Sequence, residues 1–149
     1  MSKFIIEGGV PLTGRHYSPG NKNAALPMIA AALLADGPVE ITNLPIIRDV
    51  SVMLELVQEL GAGVSFDQRA RKVVIDPRTL RKTSLPEDLC NRIRTSILFA
   101  GPLVAKTGDV VLPPPGGDVI GRRRLDTHFE GLRNLGVEVD PTSLPYVFK

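Results

Sequence analysis

The sequence has little of what several classes of protein depend on. Its 149 residues include no tryptophan, 5% aromatic residues and a single cysteine. Few aromatic rings leave few surfaces on which bases can stack, and a net charge of +2 provides no strongly basic face, so we expect no nucleic-acid partner. One cysteine excludes an internal disulfide and is typical of a reducing compartment.

Long hydrophobic runs are also missing. The longest apolar stretch, residues 24–35, contains Pro27 and is too short to cross a bilayer, so we expect no membrane insertion. The first residues are too charged for a secretory signal peptide. The sequence therefore predicts a cytoplasmic protein, and its 43% hydrophobic and 23% charged residues are typical of about one globular domain.

Hydrophobic periodicity, with glycine and proline between segments, predicts alternating helices and strands. The predicted helices span residues 22–35, 50–60, 87–106 and 125–135, and the predicted strands span residues 4–6, 39–41, 64–66, 73–75, 110–112, 137–139 and 146–148. We place Asp49 and Asp126 at helix N-caps, and Gly61 and Gly136 at C-caps. This alternation indicates an α/β or α+β fold with helices packed on sheets.

Part of the pattern occurs twice. Leu33-Leu34-Ala35 returns as Leu103-Val104-Ala105, and Leu60-Gly61-Ala62-Gly63-Val64 returns as Leu135-Gly136-Val137-Glu138-Val139. The shared order, spacing and glycine caps favour a duplicated unit. The alternative is that two helix–strand pairs look alike because they obey the same physics.

The sequence stops on the predicted strand 146–148, with no closing element after it. We therefore expect a truncated chain that lacks a third unit. Apolar surface exposed by a missing unit would favour self-association of the chain.

Two early segments carry residues suited to an anion. In residues 19–27 a glycine turn leads into a helix that begins at Lys22, where backbone N–H groups, the helix dipole and the lysine charge all favour an anion. Further along, a continuous helix would place Arg92 and Arg94 on different faces, so that one points into a site and the other into solvent. The alternatives are a solvated lysine at a helix start and two surface arginines.

The third segment is the loop 113–126. Prolines stiffen its base, Gly116 and Gly117 allow hinge motion, Asp118 stands at its tip, and residues 122–124 are all arginine. Such a loop is suited to carrying a general acid into a closed site, and its arginines are suited to a diphosphate. The alternative is a flexible surface loop with a solvated aspartate.

No residues have the spacing of a metal site. His16 and His128 are far apart in the sequence, and neither belongs to a recognisable ligand pattern. We therefore assign no metal and no cofactor.

Together the three segments resemble the UDP-N-acetylglucosamine enolpyruvyl transferases (1-carboxyvinyltransferases) of the EPSP synthase superfamily. The matching pieces are Lys22-Asn23-Ala24-Ala25-Leu26-Pro27, Arg94-Thr95-Ser96-Ile97, Gly101-Pro102-Leu103-Val104-Ala105, Gly116-Gly117 and Ile120-Gly121. The resemblance implies repeated βαβαββ units of an inside-out α/β barrel, incomplete in this chain. Residues 1–21 would supply a strand and linker to a companion domain, and residues 22–149 about two of the three units of one domain.

The resemblance also implies a reaction and roles for particular residues. In this family the 3′-hydroxyl of UDP-N-acetylglucosamine adds to C2 of phosphoenolpyruvate while an acid protonates C3, and phosphate then leaves. Lys22, Arg94 and Arg123 match anion-binding positions, and Asn23 matches a substrate-binding position. Asp118 matches the loop acid, which makes it and Lys22 the expected catalytic residues. The segment that holds the nucleotide is matched by Arg123, Arg124, Leu125, Asp126 and Thr127.

This chain departs from the family pattern at several positions. Most members carry cysteine where this chain has Asp118, and Pro19, Asn21 and Arg124 also differ from the usual residues. These changes leave two alternatives open: a transferase like 5-enolpyruvylshikimate-3-phosphate synthase, and a non-catalytic module that binds a nucleotide sugar. Because further phosphate-binding residues of the family and its deprotonating aspartate would lie beyond Lys149, we expect the chain alone to be inactive.

Overall fold

A computed structural model of the chain describes residues 3–9, 11–117, 121 and 124–149. The α-helices are Lys22–Ala31 (α1), Arg48–Glu59 (α2), Glu87–Cys90 (α3), Ala100–Thr107 (α4) and Asp126–Asn134 (α5). The strands are Val39–Ile41 (β1), Gly63–Asp67 (β2), Lys72–Asp76 (β3), Val110–Leu112 (β4) and Tyr146–Phe148 (β5). Turns of 3₁₀ helix occupy Ala32–Leu34, Pro77–Thr79 and Arg94–Phe99. Within the described ranges, no helix has the length and apolar character needed to span a membrane.

The strands form two antiparallel sheets built on the same plan. The first sheet has the order β1-β3-β2, and the second pairs β4 with β5. In the first sheet Val39 and Val64 both face Ile75 of the central strand. In the second sheet Val110 and Val139 both face Phe148. Along the chain, α2 lies between β1 and β2, which pair with opposite sides of the central strand β3. In the same way, α5 lies between β4 and Val139, which pair with opposite sides of β5. The α/β fold and the repeated unit predicted from the sequence are therefore confirmed by the strand pairing.

One apolar core holds the helices against the sheets. α2 illustrates how the sequence directs its packing, because Met53, Leu56 and Leu60 recur at helical spacing and are completely buried. On the same helix Glu55 and Glu59 are exposed. α2 thus packs by one face and presents carboxylates on the other.

The continuous helix predicted over residues 87–106 is wrong. The chain leaves helical geometry after α3, Ile93 is extended with φ −140°, and a 3₁₀ turn leads into α4. Pro102 lacks the N–H that would bond to the Leu98 carbonyl in a continuous α-helix, so regular geometry is disfavoured through this region.

Two predicted strands also differ. Residues 4–6 form no strand, and their side chains are about nine-tenths exposed. No strand in the described part of the chain pairs with them, and an unpaired segment of this length has nothing to hold it in a sheet. The predicted strand 137–139 is reduced to a bridge at Val139 opposite Phe148.

The two predicted N-caps are displaced by one or two residues. Ile47 caps α2 and Leu125 caps α5, so Asp49 and Asp126 lie in the first turns of these helices. A carboxylate in the first turn still interacts favourably with the helix dipole. The change leaves both side chains available to pair with cations.

Candidate anion-binding site

A cavity of about 220 Å³ lies where separate segments of the chain meet. The first turns of α1 and α2, the break before α4 and the loop after β4 all contribute to its wall. The lining residues are Lys22, Asn23, Asp49, Arg92, Ile93, Arg94, Thr95 and Gly117. The structure therefore brings together three of the expected site residues, Lys22, Asn23 and Arg94, from segments about 70 residues apart.

Local contacts fix the start of α1. The Asn21 side chain caps the helix by accepting a hydrogen bond from the backbone N–H of Asn23 at 2.7 Å. Gly20 lies so close to the segment around Asn43 that an added Cβ would stand 1.8 Å from the Asn43 carbonyl oxygen. Lys22 and Asn23 are consequently held at the first turn, beside the cavity. Sequence analysis noted Asn21 only as a departure from the family pattern and missed its role as the cap.

Two cations of the cavity are paired with carboxylates on α2. Lys22 Nζ forms an ion pair with Asp49 Oδ2, and Arg92 Nη1 lies 3.2 Å from Glu55 Oε2. The Lys22 side chain is half exposed and that of Asp49 is 31% exposed. Together with Arg94, three cationic side chains line the described wall, against one carboxylate, Asp49. This excess of positive charge favours an anion.

Arg92 and Arg94 both face this cavity, in contrast to the sequence prediction. A continuous helix would have separated their directions, whereas the extended residue Ile93 places both on the same wall. The neighbouring Thr95 hydroxyl oxygen is buried, and within the described residues it has no hydrogen-bond partner. Buried hydroxyl groups usually have a hydrogen-bond partner, so Thr95 leaves an unsatisfied hydrogen-bonding group among the described residues of this cavity wall.

The glycines after β4 are packed in place, and the hinge motion expected at Gly116 and Gly117 stays a prediction. Gly116 N donates to the Cys90 carbonyl at 3.0 Å, and Gly117 N donates to the Asn91 carbonyl at 3.2 Å. A Cβ at Gly116 would lie 1.9 Å from the Asn91 oxygen, and Gly117 has φ +91°. Both positions therefore require glycine. Asp118 and Arg123 lie outside the described residues.

The expected nucleotide-binding residues that the structure describes, 124–127, do not line the first cavity. Arg124 forms an ion pair with Asp126, and both line a second concavity of about 460 Å³ beside α5. Thr127 is exposed on α5, whereas Leu125 is buried in the core. Leu125 consequently anchors this segment by its side chain and offers a ligand only backbone groups.

Cys90 is the last residue of α3 and precedes the wall residues 92–95 in the chain. Its side chain is completely buried, and burial raises the pKa of the thiol to about 11, with smaller contributions from the nearby carboxylates of Asp88 and Glu87. A hydrogen bond with Ser96 acts in the opposite direction. The thiol is therefore protonated at neutral pH.

We expect Cys90 to react with a thiol reagent at pH 8 at least about a hundredfold more slowly in the folded chain than in urea, because burial blocks access to the sulfur and the raised pKa lowers the fraction of thiolate.

The raised pKa of Cys90 also makes the stability of the chain depend on pH. The folded state holds the thiol proton more tightly than the unfolded state, so this contribution to the free energy of unfolding is complete below about pH 8.5 and is lost as the pH rises towards 11. Cys90→Ala should lessen that alkaline loss. Rapid labelling of the native chain would contradict this assignment.

Comparisons with known proteins bear on the family to which the chain belongs. Residues 6–145 match the family model of EPSP synthase (3-phosphoshikimate 1-carboxyvinyltransferase). The UDP-N-acetylglucosamine 1-carboxyvinyltransferase of Treponema denticola is 52% identical over 141 residues, which are 94% of this chain and 33% of that protein. The enzyme of the same name from Bradyrhizobium diazoefficiens is 51% identical over 140 residues, with coverage of 94% and 32%. The chain thus spans about a third of the length of the curated relatives it matches.

Solved structures give the same result for the fold. The enolpyruvyl transferase NikO from Streptomyces tendae superposes with a TM-score of 0.74 at 27% identity, over 95% of this chain and 30% of that one. EPSP synthase from Acinetobacter baumannii superposes with a TM-score of 0.67 at 20% identity, over 91% and 32% of the two chains. With its repeated strand plan and a family match along nearly its whole length, the chain belongs to the EPSP synthase family of enolpyruvyl transferases.

Proposed function

We propose that this chain is part of an enzyme that transfers the enolpyruvyl group of phosphoenolpyruvate to the 3′-hydroxyl of UDP-N-acetylglucosamine and releases phosphate. This reaction would be the first committed step of peptidoglycan precursor synthesis, in the cytoplasm, and would serve cell shape and division. The observation that carries the proposal is the meeting of Lys22, Asn23 and Arg94 in one cation-rich cavity. The half-identical relatives that bear the transferase name support the choice of substrates.

The donor carries a phosphate and a carboxylate, which the cations would hold. Lys22 and Arg94 line the cavity from opposite segments, and Arg123 would complete the set. The planar fork of an arginine matches either group with two parallel hydrogen bonds, and Lys22 supplies a compact charge. Asn23, next to Lys22 on the wall, would contact the sugar substrate.

The chemistry needs an acid that can protonate carbon. As the acceptor oxygen bonds to C2 of the donor, its proton would pass to the deprotonating aspartate expected beyond Lys149, and Asp118 would transfer a proton to C3. Loss of a proton from C3 and departure of phosphate would then restore the double bond. Asp118 directly follows Gly117, which lines the cavity and is fixed there by its hydrogen bond to Asn91. Lys22 would stabilise the charge that develops on the phosphate.

The nucleotide would be held by the segment Arg123, Arg124, Leu125, Asp126 and Thr127. Its support is the pairing of Arg124 with Asp126 at the concavity beside α5. In this proposal residues 22–149 provide about two of the three units of one domain, and residues 1–21 belong to a companion domain. The exposed apolar side chains of Phe4, Ile5 and Ile6 suit a strand that is completed elsewhere.

A second candidate is a transferase with a shikimate-type acceptor. The description of the family model and the Pro19-Gly20 turn before Lys22 favour it.

Binding to the 149-residue chain, followed by NMR or calorimetry, tests the two candidates. We expect UDP-N-acetylglucosamine to bind and shikimate-3-phosphate not to bind, and we expect no enzyme-like phosphate release when phosphoenolpyruvate is added. Preferential binding of shikimate-3-phosphate would select the second candidate. Turnover by the chain alone would contradict the view that it is an incomplete part.

A further inference from the structure

Asp49 places a negative charge in a cavity that otherwise attracts anions. It is the one carboxylate among the described residues of the cavity wall, and it pairs directly with Lys22. The sequence predicts a helix cap at this residue, but Ile47 occupies the N-cap position of α2 instead. Its place in the cavity therefore needs another explanation.

Two opposing electrostatic effects act on an anion that approaches Lys22. The ammonium group attracts the anion, while Asp49 repels it and already occupies the lysine. An incoming phosphate therefore competes with the carboxylate for the charge and the N–H donors of Lys22 Nζ. The backbone dipole at the start of α2 stabilises Asp49 during the exchange, because the carboxylate stays in the first turn of that helix.

Building on the function proposed above, we propose that Asp49 is a specificity-determining residue that competes with the bound phosphate group for Lys22. In the empty cavity it holds the lysine beside the wall. When an anion is present, it weakens binding of any phosphate that has no other contacts. A donor with both phosphate and carboxylate also engages the arginines and outcompetes Asp49, whereas free phosphate, the product, is bound weakly and leaves.

The pairs on α2 provide a matched control. Glu59 lies on the same helix and also pairs with a lysine, Lys82, at 3.5 Å. Neither Glu59 nor Lys82 lines the cavity. Glu59→Gln therefore removes the same kind of ion pair and the same charge from α2 without changing the cavity wall.

The test is titration of the chain with inorganic phosphate at low ionic strength. We expect Asp49→Asn to tighten phosphate binding about three- to tenfold. The effect should be larger above the second pKa of phosphate than below it, because the freed lysine attracts the dianion more strongly than the monoanion, and it should shrink as salt is added. Glu59→Gln should leave the affinity within about twofold of the parent chain.

The same substitution in a Lys22→Met background separates competition from simple repulsion. If Asp49 acts by occupying Lys22, adding Asp49→Asn to the Lys22→Met chain should change phosphate affinity less than about twofold, because no lysine is left to be freed. Asp49→Ser is a second variant that suits the start of a helix, and thermal unfolding shows whether either variant remains folded.

The outcomes distinguish this inference from the proposed function. Unchanged or weaker phosphate binding in both folded Asp49 variants, with Lys22 still required, would overturn the role of Asp49 and leave the anion site intact. An equal gain with and without Lys22 would also overturn the competition. Failure of the parent chain and all Asp49 variants to bind phosphate would overturn the role of Asp49, whereas binding of UDP-N-acetylglucosamine tests the proposed function separately.

Discussion

Replacing Gly116 with alanine is expected to destabilise the chain by about 3 kcal/mol or more, because the new methyl group has no space. Its Cβ would stand 1.9 Å from the Asn91 carbonyl oxygen and 2.7 Å from the Asn91 Cα. These are backbone atoms, which cannot rotate away as the end of a side chain can. The loop after β4 must therefore separate from the break before α4. Urea unfolding followed by circular dichroism measures the loss.

Gly131 provides the control for this substitution. It lies on the exposed face of α5, and a Cβ there would meet nothing within 4 Å. Gly131→Ala should raise the free energy of unfolding by about 0.5–1 kcal/mol, because alanine favours a helix over glycine. If both variants have the same stability as the parent chain, the close packing of Gly116 on Asn91 is wrong.

Loss of the Gly116 contact should also disturb the cavity. The hydrogen bonds from Gly116 and Gly117 to residues 90–91 attach the loop to the wall that carries Arg92 and Arg94. Phosphate binding should therefore weaken in Gly116→Ala even at temperatures where the chain remains folded.

This same contact explains where sequence analysis of the fold failed. The strands 64–66 and 73–75 were predictable because alternating residues and a polar turn specify a hairpin locally. The break between α3 and α4 was not, because its geometry depends on Gly116, 25 residues away. Pro102 indicates an irregularity near Leu98, but it does not predict the extended conformation of Ile93, which accompanies that distant contact.

The site was partly predictable for a similar reason. Lys22 was identified from its own surroundings, a glycine turn at a helix start. Asp49 was not, because its role depends on two helices packing together, and the sequence alone suggested a cap. Arg92 was expected to be solvated if Arg94 entered the site, and only the extended residue Ile93 places both in the cavity.

Substituting Lys22 with methionine is expected to weaken binding of phosphate or phosphoenolpyruvate about ten- to a hundredfold, the usual contribution of a charge-assisted hydrogen bond. Methionine keeps a flexible apolar stem of similar length and lacks the ammonium group. The loss should exceed that from an ordinary surface lysine because Lys22 lies on the cavity wall, where its ammonium group can contact the anion directly. Titration of the folded chain with each ligand at fixed ionic strength measures the effect.

Lys82→Met distinguishes loss of this particular site from loss of general positive charge. Lys82 carries the same charge, is similarly exposed and pairs with a carboxylate on α2, but it does not line the cavity. Its replacement should change affinity less than about twofold at moderate salt, because exposed charges beyond a Debye length are screened. Equal losses in the two variants would mean that the anion responds only to net charge. A large loss confined to Lys22→Met would locate the phosphate at the first turn of α1, where the Asn21 cap and the close packing of Gly20 hold the lysine beside Asn23.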